Sequence, residues 1–231
     1  MFKNIGFGLL ILFLSTRPAL AQDIEAIVAS AKMKIEKVND YEAAGRMKTN
    51  VAFLKVPIAD IKIYFKKPNK LKIKSEKGIS FIPKGAVSIN MSNILGEKDY
   101  TIIDAGTEKM GNTALRVAKL LPKDDNSDIV LSTVYIDPVT NLVRKTRTTT
   151  KENGTFELEM TYGKFAEYGL PDKIIFSFNT KDYKLPKGVT FDFDDGTQQK
   201  KPADVKNKKG RAEIDFKSYI INKGVSEDVF K

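Results

Sequence analysis

The sequence of 231 residues contains no cysteine and no histidine. Without cysteine the chain has no disulfides, no thiolate metal sites and no lipidated N-terminal cysteine. Without histidine it cannot build a Ser-His-Asp or Cys-His nucleophile system, or a zinc site ligated by histidine. A Ser-Lys dyad or a pair of carboxylates remains open, but no stretch has the spacing of such a motif. The sequence therefore predicts a protein that is not an enzyme.

Two short motifs approach known ligand loops and fail on spacing. Gly106 and Gly111 have the separation of a phosphate-binding loop, but the Lys-Ser/Thr pair that must follow is missing. In the acidic segment 192–196, glycine stands fifth rather than sixth, and the twelfth residue is Ala203 instead of the glutamate of a calcium loop. A surface turn is the better interpretation of this segment. We expect no metal and no other cofactor.

Long apolar runs are also missing, except at the N-terminus. Residues 1–21 have the pattern of a secretory signal peptide: Lys3 precedes an apolar stretch, and the small-x-small triplet Ala19-Leu20-Ala21 ends it. The apolar stretch has about ten residues, half of what a membrane-spanning helix needs, so a retained anchor is the weaker alternative. We expect cleavage after Ala21, a periplasmic location, and a single domain over residues 22–231.

The net charge is strongly positive, at +10. Loss of Lys3 and Arg17 with the signal peptide leaves +8. An exported protein seldom meets DNA, so this charge favours anionic lipid head groups, cell-envelope polymers or solubility alone.

Lysine is concentrated in the stretch YFKKPNKLKI, residues 64–73. Apolar residues alternate with lysines on either side of Pro68-Asn69, which predicts a hairpin with one apolar and one solvated face. A nucleic-acid site would carry aromatic rings interleaved on the basic face, and only Tyr64 lies there. We therefore predict the solvated face of a sheet and no nucleic-acid partner.

The spacing of apolar residues changes once along the chain. Across residues 23–40 they recur every three or four positions, which predicts one amphipathic helix capped by Asp23. After Tyr41 the period is two, with turn signals between the runs, and this predicts about nine to eleven mostly antiparallel strands. Residues 129–136 are apolar or weakly polar on both faces, which predicts a strand covered on both sides. We expect the helix to pack against a curved sheet or an open barrel.

One side of this sheet is predicted to be apolar. This apolar side is either an ordinary core that the helix closes or, in part, a cavity for a hydrophobic guest. A single helix is too small to cover so many strands, and this favours the cavity. Residues 79–96 are apolar without a firm period and are predicted to form a loop or short helix that acts as a flap. The candidate lipid-binding residues are Ile61, Ile63, Phe65, Leu71, Ile73, Phe156, Leu158, Met160, Phe176, Phe178, Ile214 and Phe216, with Met91, Ile94 and Leu95 from the flap.

The order of several motifs resembles the LolA/LolB-like superfamily, the periplasmic lipoprotein carriers and the wider group of outer-membrane lipoprotein-sorting proteins. The resemblance covers most of the mature chain. It is carried, in order, by VNDYEAAGRM, YFKKPNKLKI, DYTIIDAGTEKMGNTALRVAKLLPK, VYIDPVTNLVRKTR, GTFELEMTYGKF, GLPDKIIFSF and SYIINKGVSEDVF.

The resemblance implies an α+β fold, mostly antiparallel β: a half-open curved β-barrel with an N-terminal helix, a short helical or loop lid, and a hydrophobic cavity for acyl chains. Lys67 stands before the turn proline, where these carriers often have an arginine that helps hold the lid. The implied function is a monomeric carrier of lipoprotein acyl chains or another lipid, with an inner-membrane transporter and an outer-membrane acceptor as partners. A sensory or protein-binding module with a filled core is the alternative.

Overall fold

The computed structural model of the protein describes residues 23–51, 54–55, 58–75, 94–95, 99–152, 154–179 and 209–231. The predicted signal peptide, the acidic segment 192–196 and Met91 lie outside these residues, as does all of the predicted flap except Ile94 and Leu95. Within the described ranges, no helix has the length and apolar character needed to cross a membrane.

Helix α1 (Ile24–Glu36) opens the described chain. The Asp23 side chain accepts a hydrogen bond from the backbone N–H of Glu25, as predicted for the N-cap, and thereby satisfies one of the free donors of the first turn. The predicted end of the helix was wrong. Lys37 closes the helix, and the chain enters a strand at Asp40, because backbone pairing with Lys66 replaces the helical hydrogen bonds there.

In the part of the chain that the structure describes, eleven strands follow the helix, within the predicted number. Their bounds are β1 (Asp40–Val51), β2 (Leu54–Lys55), β3 (Ala59–Lys66), β4 (Lys70–Ser75), β5 (Tyr100–Met110), β6 (Thr113–Pro122), β7 (Ile129–Asp137), β8 (Leu142–Thr150), β9 (Gly154–Thr161), β10 (Lys173–Asn179) and β11 (Lys209–Ile221). Two short 3₁₀ segments, Ala166–Tyr168 and Glu227–Phe230, lie between β9 and β10 and after β11.

The strands form one open antiparallel sheet. Their order is β4-β3-β1-β11-β10-β9-β8-β7-β6-β5, and β2 pairs with β1 outside this path. Every described strand pair is antiparallel, and β4 and β5 are the two edges of the described sheet. The predicted fold class is therefore confirmed: a curved, unclosed antiparallel sheet with an N-terminal helix.

A register shift between Ala44 and Gly45 interrupts the pairing of β1 with β11. Such shifts bend a strand and increase its twist, so this one contributes to the curvature. A Cβ at Gly45 would lie 2.8 Å from the carbonyl oxygen of Asp215, closer than real Cβ contacts allow. Glycine is therefore required where the two strands approach each other at the bend.

Side chains alternate between an inner face, which packs under α1, and an outer face. In β3 the inner residues Ile61, Ile63 and Phe65 are at most 4% exposed, whereas Lys62 and Tyr64 between them lie on the outer face. The prediction that residues 129–136 are covered on both faces was wrong. Val134 and Ile136 are fully buried on the inner face, but Leu131 and Tyr135 on the outer face are only partly buried. Val130, at the register shift between Ile129 and Leu131, is 48% exposed.

Candidate functional site

The strand register collects the predicted apolar residues on the inner face. Residues paired directly across antiparallel strands point to the same side of a sheet. Phe176 pairs with Leu158 and with Ala212, and Ile214 pairs with Met47. Continued across the sheet, this register places on one face Phe156, Leu158, Met160, Phe176, Phe178, Ile214, Phe216, Ile61, Ile63, Phe65, Leu71 and Ile73.

One half of the inner face is closed by the chain itself; we call it the closed half. It comprises the inner residues of β6 to β10, together with Ala212 of β11. Helix α1 packs on it through Ile24, Ile27, Val28 and Ala31. Ile94 and Leu95, predicted as flap residues, belong to the same cluster and are 0% and 3% exposed. Here the inner face is a close-packed core.

The other half is less covered; we call it the open half. It comprises the inner residues of β1, β3 and β4 with the adjoining residues of β11. No α1 residue belongs to this second cluster. Its partly exposed apolar side chains are Tyr41, Leu71, Ile73, Ile214, Phe216 and Tyr219. Partial exposure is thus confined to Tyr41 and to residues of β4 and β11, whereas Ala43, Met47, Ile61 and Ile63 between them are at most 4% exposed.

Tyr219 is the centre of an aromatic group in the open half that sequence reasoning missed. Its ring lies 5.5 Å from that of Tyr41, 5.0 Å from that of Phe216 and 4.9 Å from that of Phe165, measured between centroids. Its hydroxyl donates to the backbone carbonyl of Pro171 at 2.8 Å. Burial raises the pKa of Tyr219, so the hydroxyl stays protonated and available as a donor.

The C-terminal end of α1 is fixed by two side chains from distant parts of the sequence. The ammonium of Lys67 donates to the backbone carbonyl of Glu36 at 2.7 Å. The side-chain amide of Asn222 donates to the carbonyl of Lys37 and accepts from the N–H of Asn39. The last carbonyls of a helix lack partners within it, so both contacts stabilise this end. Lysine thus takes the position where the resemblance implied an arginine.

Replacing Lys67 with methionine is expected to loosen this end of α1. The change keeps the aliphatic stem but removes the donor, and one exposed hydrogen bond of this kind contributes about 0.5–1.5 kcal/mol. Hydrogen exchange should accelerate at the amides of Lys37 and Val38, while Lys119→Met, an exposed change on β6, should leave them unaffected. Unchanged protection of both amides in Lys67→Met would contradict the anchoring role.

The lysines of the β3–β4 hairpin lie on the outer face, as predicted, and contact the C-terminal segment. Lys66 and Lys70 both form ion pairs with Glu227, and Lys66 also donates to the carbonyl of Val225 at 3.1 Å. Lys72 donates to the backbone carbonyl of Lys231. Hydrogen bonds from Lys70 and Lys66 lower the pKa of Glu227 to about 2. Part of the basic run therefore binds the chain's own residues.

This contact is expected to be pH-dependent. Because the pKa of Glu227 falls from 4.5 to about 2 on folding, its contribution is complete above pH 4.5 and is lost as the pH drops toward 2. NMR signals of residues 225–231 should report detachment in that window. Glu227→Gln should remove the transition, whereas Asp228→Asn, whose ion pair is with Lys231 of the same segment, should retain it. An identical pH profile in Glu227→Gln would disprove the assignment.

The described residues contain no group of three or more histidine, cysteine, aspartate or glutamate side chains placed to hold a metal. The described carboxylates with lowered pKa are Asp60, Glu213 and Glu227, and each is hydrogen-bonded to lysine. Asp60 and Glu213 alternate with inner-face residues and so lie on the outer face. The described residues of the inner face are thus chiefly apolar, with few polar side chains among them.

The described residues thus form an open antiparallel sheet with an apolar inner face and helix α1 across part of it, which is the architecture of a half-open barrel. No protein-family model matches the sequence, and no curated protein matches it. The fold, by contrast, matches solved structures over almost its whole length.

Three solved structures share the fold. The first is described as an outer membrane lipoprotein-sorting protein domain, from Vibrio parahaemolyticus: 11% identity, TM-score 0.56, covering 89% of this chain and 94% of that one. The second is a LolA superfamily protein from Nitrosomonas europaea: 9% identity, TM-score 0.57, covering 90% and 96%. The third is a DUF1329 family protein from Desulfovibrio piger: 12% identity, TM-score 0.54, covering 90% and 97%. The chain therefore has a LolA-like fold, as the order of its motifs predicted.

Proposed function

We propose that this protein is a non-enzymatic periplasmic carrier or chaperone that binds the acyl chains of lipoproteins, or of another lipid, on its inner face. Residues 1–21 direct export and are removed after Ala21. The mature carrier acts as a monomer, accepts its cargo from an inner-membrane transporter and delivers it to an outer-membrane acceptor. The fold shared with a domain described as lipoprotein-sorting supports this proposal.

The observation that carries the proposal is the partly exposed apolar surface of the open half. Leu71 and Ile73 lie on the edge strand β4, and Ile214 and Phe216 lie on β11, with inner residues of β3 and β1 between the two pairs. No α1 residue belongs to their cluster. Partly exposed apolar side chains that share one face of a sheet are typical of a site for a hydrophobic ligand or partner. Their position inside a half-barrel suits an elongated apolar ligand better than a flat protein surface.

The energy of acyl transfer explains why a carrier is needed. Each buried methylene contributes about 0.8 kcal/mol, so a sixteen-carbon chain in water exposes surface that costs on the order of 12 kcal/mol. A lined half-barrel removes most of that cost without any chemical step. The residues concerned would act through shape and apolarity, and no cofactor is required.

Native mass spectrometry tests the proposal directly. The protein is purified from envelope extracts under conditions that retain bound lipid, and we expect an acylated ligand to co-purify. Delipidated protein should also take up a fluorescent fatty acid in a saturable manner. A protein that is recovered empty and binds no fluorescent fatty acid would exclude the carrier function.

The closed half favours a second candidate, an envelope sensory or protein-binding module that uses the same fold without lipid transport. Its inner residues are already covered by the chain, with Phe156 and Ile27 at 1% and 0% exposure. A core filled in this way leaves the open half as a contact surface for a protein. Recovery of a stoichiometric protein partner, with no lipid in the same preparation, would support this alternative.

A further inference from the structure

Three hydroxyl side chains lie together inside the closed half. Ser132 of β7 and Thr148 of β8 pair directly, and Thr146 lies two residues before Thr148 on the same face. All three are at most 1% exposed. Thr146 is flanked by Val134 and Leu158, its cross-strand partners. We call Ser132, Thr146 and Thr148 the hydroxyl patch. The next inner residue of β8, Thr150, is also buried, and its hydroxyl donates to the carbonyl of Gly154.

Hydrogen bonding within the hydroxyl patch is incomplete. The oxygens of Ser132 and Thr148 are 3.0 Å apart and satisfy each other. The hydroxyl of Thr146 is buried and has no hydrogen-bond partner among the described residues. Native structures leave few buried polar groups unpaired, because such groups are destabilising. The hydroxyl of Thr146 therefore makes no hydrogen bond within the described part of the folded chain.

Strand propensity does not explain threonine at this position. Valine has nearly the same shape and an equally β-branched side chain, and it suits a strand at least as well. It would also avoid the unpaired hydroxyl. A requirement for packing alone would thus favour valine at position 146, whereas a requirement for a donor or acceptor on the inner face favours threonine.

We propose that the hydroxyl patch binds the carbonyl oxygen of an ester-linked acyl chain, with the Thr146 hydroxyl as the donor. This inference rests on the proposed carrier function and narrows its ligand to acyl esters. Sites for hydrophobic ligands combine an apolar lining with a few placed polar groups, as found here. The side chains paired with the patch, Val134, Leu158 and Phe156, carry no charge. A neutral carbonyl therefore fits better than a free carboxylate.

The hydroxyl patch is buried in the close-packed closed half, so a ligand reaches it only by displacing side chains that fill this half. Ile27 of α1 and Ile94 belong to the same apolar cluster as Val134 and Leu158. An acyl chain that enters beneath the helix would take the place of such side chains and would bury a similar apolar area. Its ester group would then meet the unpaired hydroxyl of Thr146, which otherwise has only apolar neighbours across the strands.

A pair of probes that differ only in the carbonyl tests this proposal. Dioctanoylglycerol carries two ester groups, whereas its ether analogue dioctylglycerol has the same chains without carbonyls. Competition of each against a bound apolar dye gives two affinities on the full chain. One hydrogen bond of ordinary strength predicts a roughly three- to tenfold preference for the ester. Thr146→Val should remove the preference by weakening ester binding alone, and Thr146→Ser should restore it.

Thr49→Val is the matched control. Thr49 is also a buried threonine on the inner face with an unpaired hydroxyl, at 5% exposure. It pairs with Ala212 of β11, so β9, β10 and β11 separate it from Thr146. Its substitution should leave the ester preference intact. The melting temperature of Thr146→Val should equal or exceed that of the wild type, which shows that any lost preference is not unfolding.

The outcomes separate this inference from the carrier function. Equal affinity of the wild type for ester and ether would overturn the role of the hydroxyl patch while leaving lipid binding in place. Equal loss of preference in Thr49→Val and Thr146→Val would overturn it as well, since position would then be irrelevant. Failure of both probes to bind the wild type would overturn the carrier proposal together with this one.

Discussion

Replacing Phe156 with alanine is expected to lower the free energy of unfolding by about 3–5 kcal/mol. Phe156 is 1% exposed and stacks on Phe176 with 5.4 Å between ring centroids. Its cross-strand partners, Thr148 of β8 and Phe178 of β10, are fixed in position by the backbone pairing of these strands with β9. Because the strands cannot move together to fill the space, the truncation leaves a cavity in addition to the lost apolar burial.

Urea denaturation measures this loss as a shift of the midpoint at constant m-value. A domain of this size typically has only about 5–15 kcal/mol of stability, so Phe156→Ala should unfold at much lower urea. Phe230→Ala, which truncates a partly exposed ring in the C-terminal 3₁₀ segment, should have a much smaller effect. A loss below about 1 kcal/mol in Phe156→Ala would mean that the closed half is not close-packed.

The hairpin of β3 and β4 shows how far the sequence alone predicts this fold. Strict alternation of apolar residues and lysines, interrupted by Pro68-Asn69, predicted both strands and their inner faces. Alternation is a local property of a strand, so it survives any tertiary arrangement that buries one side. The cap at Asp23 was predictable for the same reason, since it depends on the first turn only.

The end of α1 was not predictable from the local pattern. Val38 continues the helical spacing and is 2% exposed, which suggested a longer helix. The backbone N–H of Asn39, however, donates to the side-chain oxygen of Asn222, which is 183 residues away in the sequence. A contact of that separation decides where the strand begins, and nothing in the flanking residues reveals it. The same holds for the ion pairs of Glu227 with Lys66 and Lys70.

The candidate site, too, was predictable from the sequence only in part. The period of two predicted which side chains share the inner face, but the division into closed and open halves depends on where α1 docks, and the helix contacts β5, β6 and β7. The hydroxyl patch, in contrast, could have been predicted from the sequence of β8. Thr146 and Thr148 alternate with the exposed Arg147 on β8, and Thr150 continues the alternation, which marks all three threonines as inward-facing polar residues.

Tryptophan at position 214 is expected to block lipid uptake with little loss of stability. Ile214 lies in the open half and is only partly buried, so the larger ring can occupy space that the ligand would use. We expect uptake of a fluorescent fatty acid to fall by at least about tenfold, and stability to change by about 1 kcal/mol or less. Ile220→Trp is the matched control on β11, because Ile220 is 54% exposed on the outer face.

Tryptophan at position 158 should behave in the opposite way. Leu158 is 6% exposed in the closed half, where added volume forces neighbouring side chains from their preferred rotamers. Overpacking of this kind costs about 1–3 kcal/mol, which urea denaturation resolves. If Ile214→Trp is destabilised as strongly as Leu158→Trp, the open half is filled like the closed one and favours the protein-binding module. The carrier function predicts that Ile214→Trp keeps its stability but loses lipid uptake, whereas Ile220→Trp keeps both. Lipid would then occupy the inner face beside β11, because only the tryptophan ring at position 214 points inward and competes with it.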